Sequence, residues 1–240
     1  MKIAQIYSIL DQIAPFCDQE EWDNSGLLLG SFEDEFDEIY LSLDLDSGVI
    51  NSTPPNTLFI THHPLIFKGL KNLNPNLYPS NLVFEMIKKD QKLICMHTNF
   101  DKHALNKFVL SEVLGYKKFE QNDFVLKFEV NKKFDDFANE IKNKLNLDHL
   151  KVVKSNEFIK TAAFCTGSGA DLIGSFEADC FLSGDFKYHT ALQCYENKLS
   201  LIDITHFASE RYFGDCLAKL LQKNQVFAKI TNSINPFSQI

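Results

Sequence analysis

The chain has 240 residues, 45% of them hydrophobic and 22 of them Phe, which fills one large core or two small ones and excludes a disordered chain. A formal net charge of -8, from 24 Lys plus Arg against 32 Asp plus Glu, argues against a broad nucleic-acid surface but allows a local cationic pocket for a small anion. Nowhere does the chain offer the roughly 18 consecutive apolar residues of a membrane helix, so no membrane span is expected.

At the N-terminus, Ile3, Ile6, Ile9, Leu10 and Ile13 have amphipathic helix spacing, and Asp11 interrupts any signal-peptide core. The stretches IYLSLDLD (39–46), TLFITHH (57–63) and KLICMHTNFD (92–101) read as strands, with SNLVFEMIKKD helical between the last two. Residues 124–153 read as strand, helix, strand, the helix marked by Phe134, Phe137, Ile141 and Leu145. Strand-like segments return at 159–173, 178–190 and 199–210, with ALQCYEN helical before the last. This order repeats that of the first half, so the expected fold is α/β: two packed lobes related by an internal duplication. The expected boundaries are 1–118, an ordered connector at 119–156, and 157–240, with no Pro/Gly/Ser-rich linker to tether rather than pack the halves. The six cysteines, Cys17, Cys95, Cys165, Cys180, Cys194 and Cys216, form no CxxC pair. They read as small core residues of a reducing compartment, which points to the cytoplasm.

Imidazoles are poor residues with which to end a buried strand, and His62 and His63 end one. Neighbouring strand side chains point to opposite faces, so a pair meant for one site sits where the strand has stopped. Pro64 supplies the stop. Open α/β sheets carry ligands at the carboxyl ends of their strands, and four clusters fall at such ends: His62/His63, His97 to Asp101, Asp185 to His189, and His206 to Glu210. His206 and Glu210 are four apart, on one face of a helix's first turn, which makes a two-pronged metal grip. Three imidazoles with the carboxylates of Asp101 and Glu210 exceed the needs of one four-coordinate zinc, and two metals fit better. Such mixed N/O donors without cysteine suit zinc, iron, manganese, cobalt or nickel.

Other residues carry weaker signals. His97 reads as an outer partner of the ligands, a proton carrier or a capping group. Asp185 and His189 either line a cleft or stabilise the start of the following helix. TGSG (166–169) reads either as a phosphate cradle or as a plain turn. Lys68, Lys71 and Arg211 are the cations placed to meet a polyphosphate, although one helical step turns Arg211 away from Glu210. His103 and His149 receive no role.

Five motifs, EWDNSGLLLG (21–30), THHPLIFKGLK (61–71), HTNFD (97–101), CTGSG (165–169) and DITHFASE (203–210), resemble in order the Nif-three-like proteins, also known as GTP cyclohydrolase I type 2 homologues. The resemblance implies a dinuclear metal centre in a cleft between the two lobes, a homo-hexamer, and ligands at His62, His63, Asp101, His206 and Glu210. It also implies a metal-dependent hydrolase that opens the guanine imidazole ring of GTP to give formate and dihydroneopterin triphosphate. In such an enzyme His97, or a carboxylate not consumed by coordination such as Glu210, is expected to move protons. A nucleotide or another small phosphorylated compound would be the substrate. The alternative is a non-catalytic metal-trafficking protein or interaction scaffold with the same ligands. Two departures stand out: Thr205 replaces the family's usual glycine, and TGSGAD is poorer in glycine than the usual loop. Only the short connector lies where longer relatives insert a domain.

Overall fold

The computed structural model describes residues 1–238. In chain order it begins with α1 (Ile3–Ile13), β1 (Gly26–Leu29), β2 (Glu38–Ser42), α2 (Ser47–Ser52), β3 (Thr57–Thr61), α3 (Ser80–Lys88) and β4 (Lys92–Cys95). A helical run over 98–113, here α4, contains π turns at Asp101–Leu105 and Val109–Val113. Next come β5 (Glu120–Asn122), β6 (Val125–Lys133), α5 (Phe134–Lys144), β7 (Lys151–Val153), β8 (Phe158–Phe164) and β9 (Cys180–Ser183). The last elements are α6 (Tyr188–Glu196), β10 (Ser200–Asp203), α7 (His206–Glu210), α8 (Phe213–Lys223) and β11 (Lys229–Ile230).

Two compact units result, one of Met1–Ala104 with the residues from Phe213 onward, the other of Leu105–Tyr212. The first is built on a sheet of order β1-β4-β3-β2-β11 and the second on one of order β5-β6-β8-β9-β10-β7. In the first, β2, β3 and β4 run parallel, with Ser42 beside Thr61 and Thr61 beside Cys95. Every residue of β3 and β4 is buried. Central parallel strands are covered on both faces, which is why LFI and LIC read as unbroken apolar runs rather than alternating ones. Phe59, Leu82, Val83, Met86 and Leu93 belong to one core cluster of this unit.

In the second unit β8, β9 and β10 repeat that parallel trio. The repetition extends to the edge: β1 pairs antiparallel with β4, and β7 pairs antiparallel with β10. Each unit therefore contains the same four-strand frame, in which a strand that precedes the parallel trio returns beside its last member. That is the topological form of the duplication expected from sequence. No helix among the described residues is long and apolar enough to cross a membrane. All six cysteines are free, five of them buried and Cys17 exposed.

Several boundaries differ from the sequence reading. The strand expected over 92–101 stops at Cys95, because His97 leaves the extended region (φ -106°, ψ -105°) and Thr98 opens α4. The strand expected over 39–46 stops at Ser42. Segment 119–156, expected as an ordered connector of strand, helix and strand, has that order and contributes both edges of the second sheet, through β5 and β6 on one side and β7 on the other. Residues from Phe213 rejoin the first unit, since β11 pairs with β2 and α8 packs on β2.

Within the second unit a buried asparagine fixes the loop after β8. Asn106 donates through Nδ2 to the Phe124 carbonyl at 2.9 Å and accepts through Oδ1 from the Thr166 amide at 2.9 Å and the Thr166 hydroxyl at 2.6 Å. Losing a buried hub of this kind costs about 1 to 3 kcal/mol. Asn106→Ala is expected to lower the unfolding free energy by that amount, read as a lower urea midpoint at unchanged m-value; an unmoved midpoint would show that the loop holds without it.

Candidate metal centre

Because β2, β3 and β4 end on one line, the residues just beyond Ser42, Thr61 and Cys95 emerge along a single sheet edge. Asp44, His62, His63 and His97 are those residues. The rings of His62 and His63 lie 5.0 Å apart, those of His62 and His97 5.2 Å, and those of His63 and His97 5.6 Å. One ligand atom from each of the three lies within 4.8 Å of the others. Asp101, one turn into α4, brings Oδ1 to 3.4 Å from His62 Nε2. Two ligands on one tetrahedral ion at ordinary Zn–N and Zn–O lengths stand about 3.4 Å apart.

Each imidazole is held by its other nitrogen. His62 Nδ1 is 2.9 Å from the Met96 carbonyl, His63 Nδ1 2.7 Å from Asp44 Oδ1, and His97 Nδ1 2.8 Å from Asp23 Oδ1. A carbonyl or carboxylate only accepts, so Nδ1 carries the hydrogen and the neutral ring presents its lone pair at Nε2. This is how metal-binding histidines are oriented. Phe213, itself fully buried, packs 5.2 Å from the ring of His62 and 5.1 Å from that of Phe100, which forms an apolar floor.

The electrostatics of this edge favour a cation. Burial raises the Asp23 carboxyl, but hydrogen bonds and charge from His97, with further bonds from Thr98 and Asn24, outweigh it and hold the group well below the usual carboxylate range. Asp23 is therefore ionised at any working pH. The buried Cys95 thiol is pushed well up, first by burial and then by the negative charges of Asp23, Asp101 and Asp44. The thiol donates to the His62 carbonyl at 2.9 Å and stays out of the donor set. Three convergent Nε2 atoms beside three carboxylates make a donor set that fits a divalent transition metal.

In the second unit the same strand-end edge carries Gly184, Asp185 and His206. His206 opens α7, and its Nε2 is 2.9 Å from Glu210 Oε2 one turn later. Its Nδ1 is 2.8 Å from Asp185 Oδ2, so this ring too is anchored by a carboxylate. Glu210 is only 2% exposed and lies against the loop after β8. A Cβ added at Gly167 (φ +63°) would stand 2.1 Å from Glu210 Oε1, so only glycine permits that approach. Ser209 Oγ accepts from the Gly167 amide at 2.9 Å and donates to the His206 carbonyl at 2.8 Å, tying loop to helix.

His62, His63, His97 and Asp101 come together at the end of the first sheet, and His206 and Glu210 come together in the second unit. His97, read from sequence as lying outside the ligands, has a ligand atom in the same group as His62 and His63. Asp185 takes the role of ring anchor, whereas His189 sits in α6 against Tyr188. The TGSG loop is a braced turn: the amides of Thr166, Gly167 and Gly169 are engaged by Asn106, Ser209 and Ser183. Arg211 donates to the Leu145 carbonyl at 2.9 Å, at the C-terminal end of α5, and stacks on Tyr212. His103 pairs with Asp18 through Nε2 at 2.7 Å. The anchors Asp23 and Asp44 received no role from sequence, although Asp23 stands inside the EWDNSG motif.

A family model described as Duf34/NIF3 (NGG1p interacting factor 3) matches residues 1–236. A Campylobacter jejuni protein named GTP cyclohydrolase 1 type 2 homolog is 50% identical over 238 residues, covering 99% of each chain. A Helicobacter pylori protein named GTP cyclohydrolase 1 type 2 is 40% identical over 240 residues, again 99% of each. Among solved structures, the Staphylococcus aureus hypothetical protein SA1388 matches with a TM-score of 0.88 at 28% identity, over 100% of this chain and 99% of that one. Full-length agreement in sequence and in fold leads to one conclusion: the chain belongs to the Duf34/NIF3 (NGG1p interacting factor 3) family.

Proposed function

We propose that the chain is a metal-dependent hydrolase acting on a nucleotide, with GTP as substrate and ring opening at carbon 8 of its guanine, releasing formate on the way to dihydroneopterin triphosphate. The observation that carries this reading is the convergence of three imidazoles, each anchored at Nδ1, beside the carboxylate of Asp101. The name of the Helicobacter pylori relative supports the choice of substrate. His62, His63 and Asp101 in the first unit, with His206 and Glu210 in the second, would hold two divalent transition-metal ions. Such ions polarise a substrate oxygen and lower the pKa of water.

The chain's own residues supply the rest. Asp23, kept ionised, holds the Nδ1 hydrogen of His97 and stabilises the imidazolium that forms when Nε2 takes up a proton. His97 thereby serves as the proton carrier, the role this reading gives it over that of ligand. Glu210, buried and paired with His206, would be both a ligand and a second proton acceptor. Lys68 and Lys71, beyond the histidine pair, are the cations for the triphosphate. The protein assembles as a homo-hexamer, and light scattering returning a stable monomer would refute that assembly.

Metal content is the first test. Chelated and reloaded protein should take up two ions per chain, and His63→Ala should lower that number with the far-UV spectrum unchanged. Saturation at one ion defeats the dinuclear reading. Turnover is the second. Metal-loaded protein given GTP should release formate and a fluorescent pterin. Asp101→Asn should lose both metal affinity and turnover, whereas His97→Ala should keep most of its metal while turnover falls by about 10²- to 10⁴-fold, the usual worth of general acid–base catalysis. Tight, exchangeable metal with no turnover on any nucleotide would instead support a protein that holds or delivers metal.

A further inference from the structure

Trp22 and Phe67 are large apolar side chains left in solvent, 58% and 41% exposed, and they stand together. Their ring centroids are 5.9 Å apart, with the planes inclined at 52°. Both rings also meet the edge of His97, at 6.1 Å and 6.3 Å. Two aromatics and the imidazole of a proposed proton carrier thus form one triangle.

The pair is held rather than draped. Asn24 Nδ2 donates to the Ile66 carbonyl at 2.5 Å, which ties the loop carrying Trp22 to the loop carrying Phe67. The Glu20 amide donates to Thr98 Oγ1 at 3.0 Å, and the His97 amide donates to Ser25 Oγ at 3.0 Å. Asp23, between Trp22 and Asn24 in the chain, anchors His97. Fixing an exposed aromatic face in advance removes much of the ordering cost of binding to it. Rings 52° apart do not close on each other, so a planar ring can lie on the indole face and meet the phenyl ring at its edge.

We infer that Trp22 and Phe67 form the stacking seat for a planar heteroaromatic ring of the substrate, set beside His97. The inference rests on the hydrolase reading for its substrate class, a purine nucleotide. Stacking on an aromatic side chain accepts any base, so the seat supplies affinity and orientation while the polar groups choose the compound.

Trp22 is the chain's one tryptophan, so its emission reports the seat directly. Metal-loaded protein is titrated with GTP, guanosine and inorganic tripolyphosphate while emission is followed and binding is measured separately by calorimetry. GTP and guanosine are expected to quench the emission and tripolyphosphate to leave it unchanged. Trp22→Leu and Phe67→Ala should each weaken GTP binding roughly 5- to 150-fold, with Trp22→Phe restoring most of the loss. GTP binding with unchanged emission and unaltered affinity in both variants overturns the seat and leaves the GTP reading standing. No binding of GTP, together with Phe67-dependent quenching by another purine or a pteridine, overturns GTP as substrate and upholds the seat. An emission change that follows protein concentration rather than ligand, or none with any planar heteroaromatic compound, overturns the seat itself.

Discussion

Parallel pairing in strict register is the constraint on which the first unit's site depends. With Ser42, Thr61 and Cys95 abreast, every residue one or two places further along emerges at the same edge, and the backbone there is still tied down. The His62 and His63 amides donate to the Ser42 and Leu43 carbonyls at 3.2 and 3.0 Å, and the Met96 amide to the Thr61 carbonyl at 2.8 Å. The strand-end loops thus inherit the sheet's rigidity before any side chain is considered. Slipping β3 by one residue against β2 would exchange its two faces and with them every packing contact its side chains make. Binding chemistry placed on such an edge is oriented by the core rather than by the loops themselves.

The frame is duplicated, but its chemistry is not. The Ile204 amide donates to the Ser183 carbonyl at 2.9 Å, as the Met96 amide does to that of Thr61, which makes Met96 and Ile204 equivalent. Counting from there, His62 corresponds to Gly184, His63 to Asp185 and His97 to Thr205. Each imidazole of one unit therefore has a non-imidazole counterpart in the other. Gly184 cannot carry a side chain, since its Cβ would stand 2.6 Å from the His206 amide nitrogen. A shared backbone edge with independently chosen donors is how one architecture supplies an imidazole-rich site and a His/Glu pair from the same topology.

The places of these side chains were legible in the sequence because their signals are local. Pro64 marks where β3 stops, so His62 and His63 fall beyond the pleat; the spacing of His206 and Glu210 places both on one helical turn. The anchors were not legible. Asp23 and His97 are 74 residues apart, Asp44 and His63 19 apart, and Asp185 and His206 21 apart, and no short pattern joins an acid to a ring across such intervals. The TGSG loop was ambiguous for the same reason, because whether its amides are available depends on Asn106, Ser183 and Ser209. Membership of His97 in the first group follows from the tight turn at Met96–His97, which a strand reading of 92–101 hides. The chain after Tyr212 returns through α8, which packs on β2, and through β11, which is two residues long and too short to leave a periodicity.

Thr205 shows how the second unit tolerates a local misfit. Its backbone sits at φ +60°, ψ 149°, a region that suits glycine, and glycine is the residue expected there from the family resemblance. For a β-branched residue the conformation costs on the order of 1 to 3 kcal/mol. Threonine returns part of that. Its hydroxyl caps α7 by accepting from the Ala208 amide at 3.3 Å, whereas the backbone amide that donates to Asp203 Oδ1 at 3.0 Å would do so from glycine as well. Measured against alanine such an N-cap is worth about 0.5 to 2 kcal/mol, but against glycine only a few tenths. The cap therefore offsets only a small part of the backbone strain. The outcome is felt at the next residue: His206 begins a capped helix on one side and is held by Asp185 on the other, and its Nε2 is aimed by both.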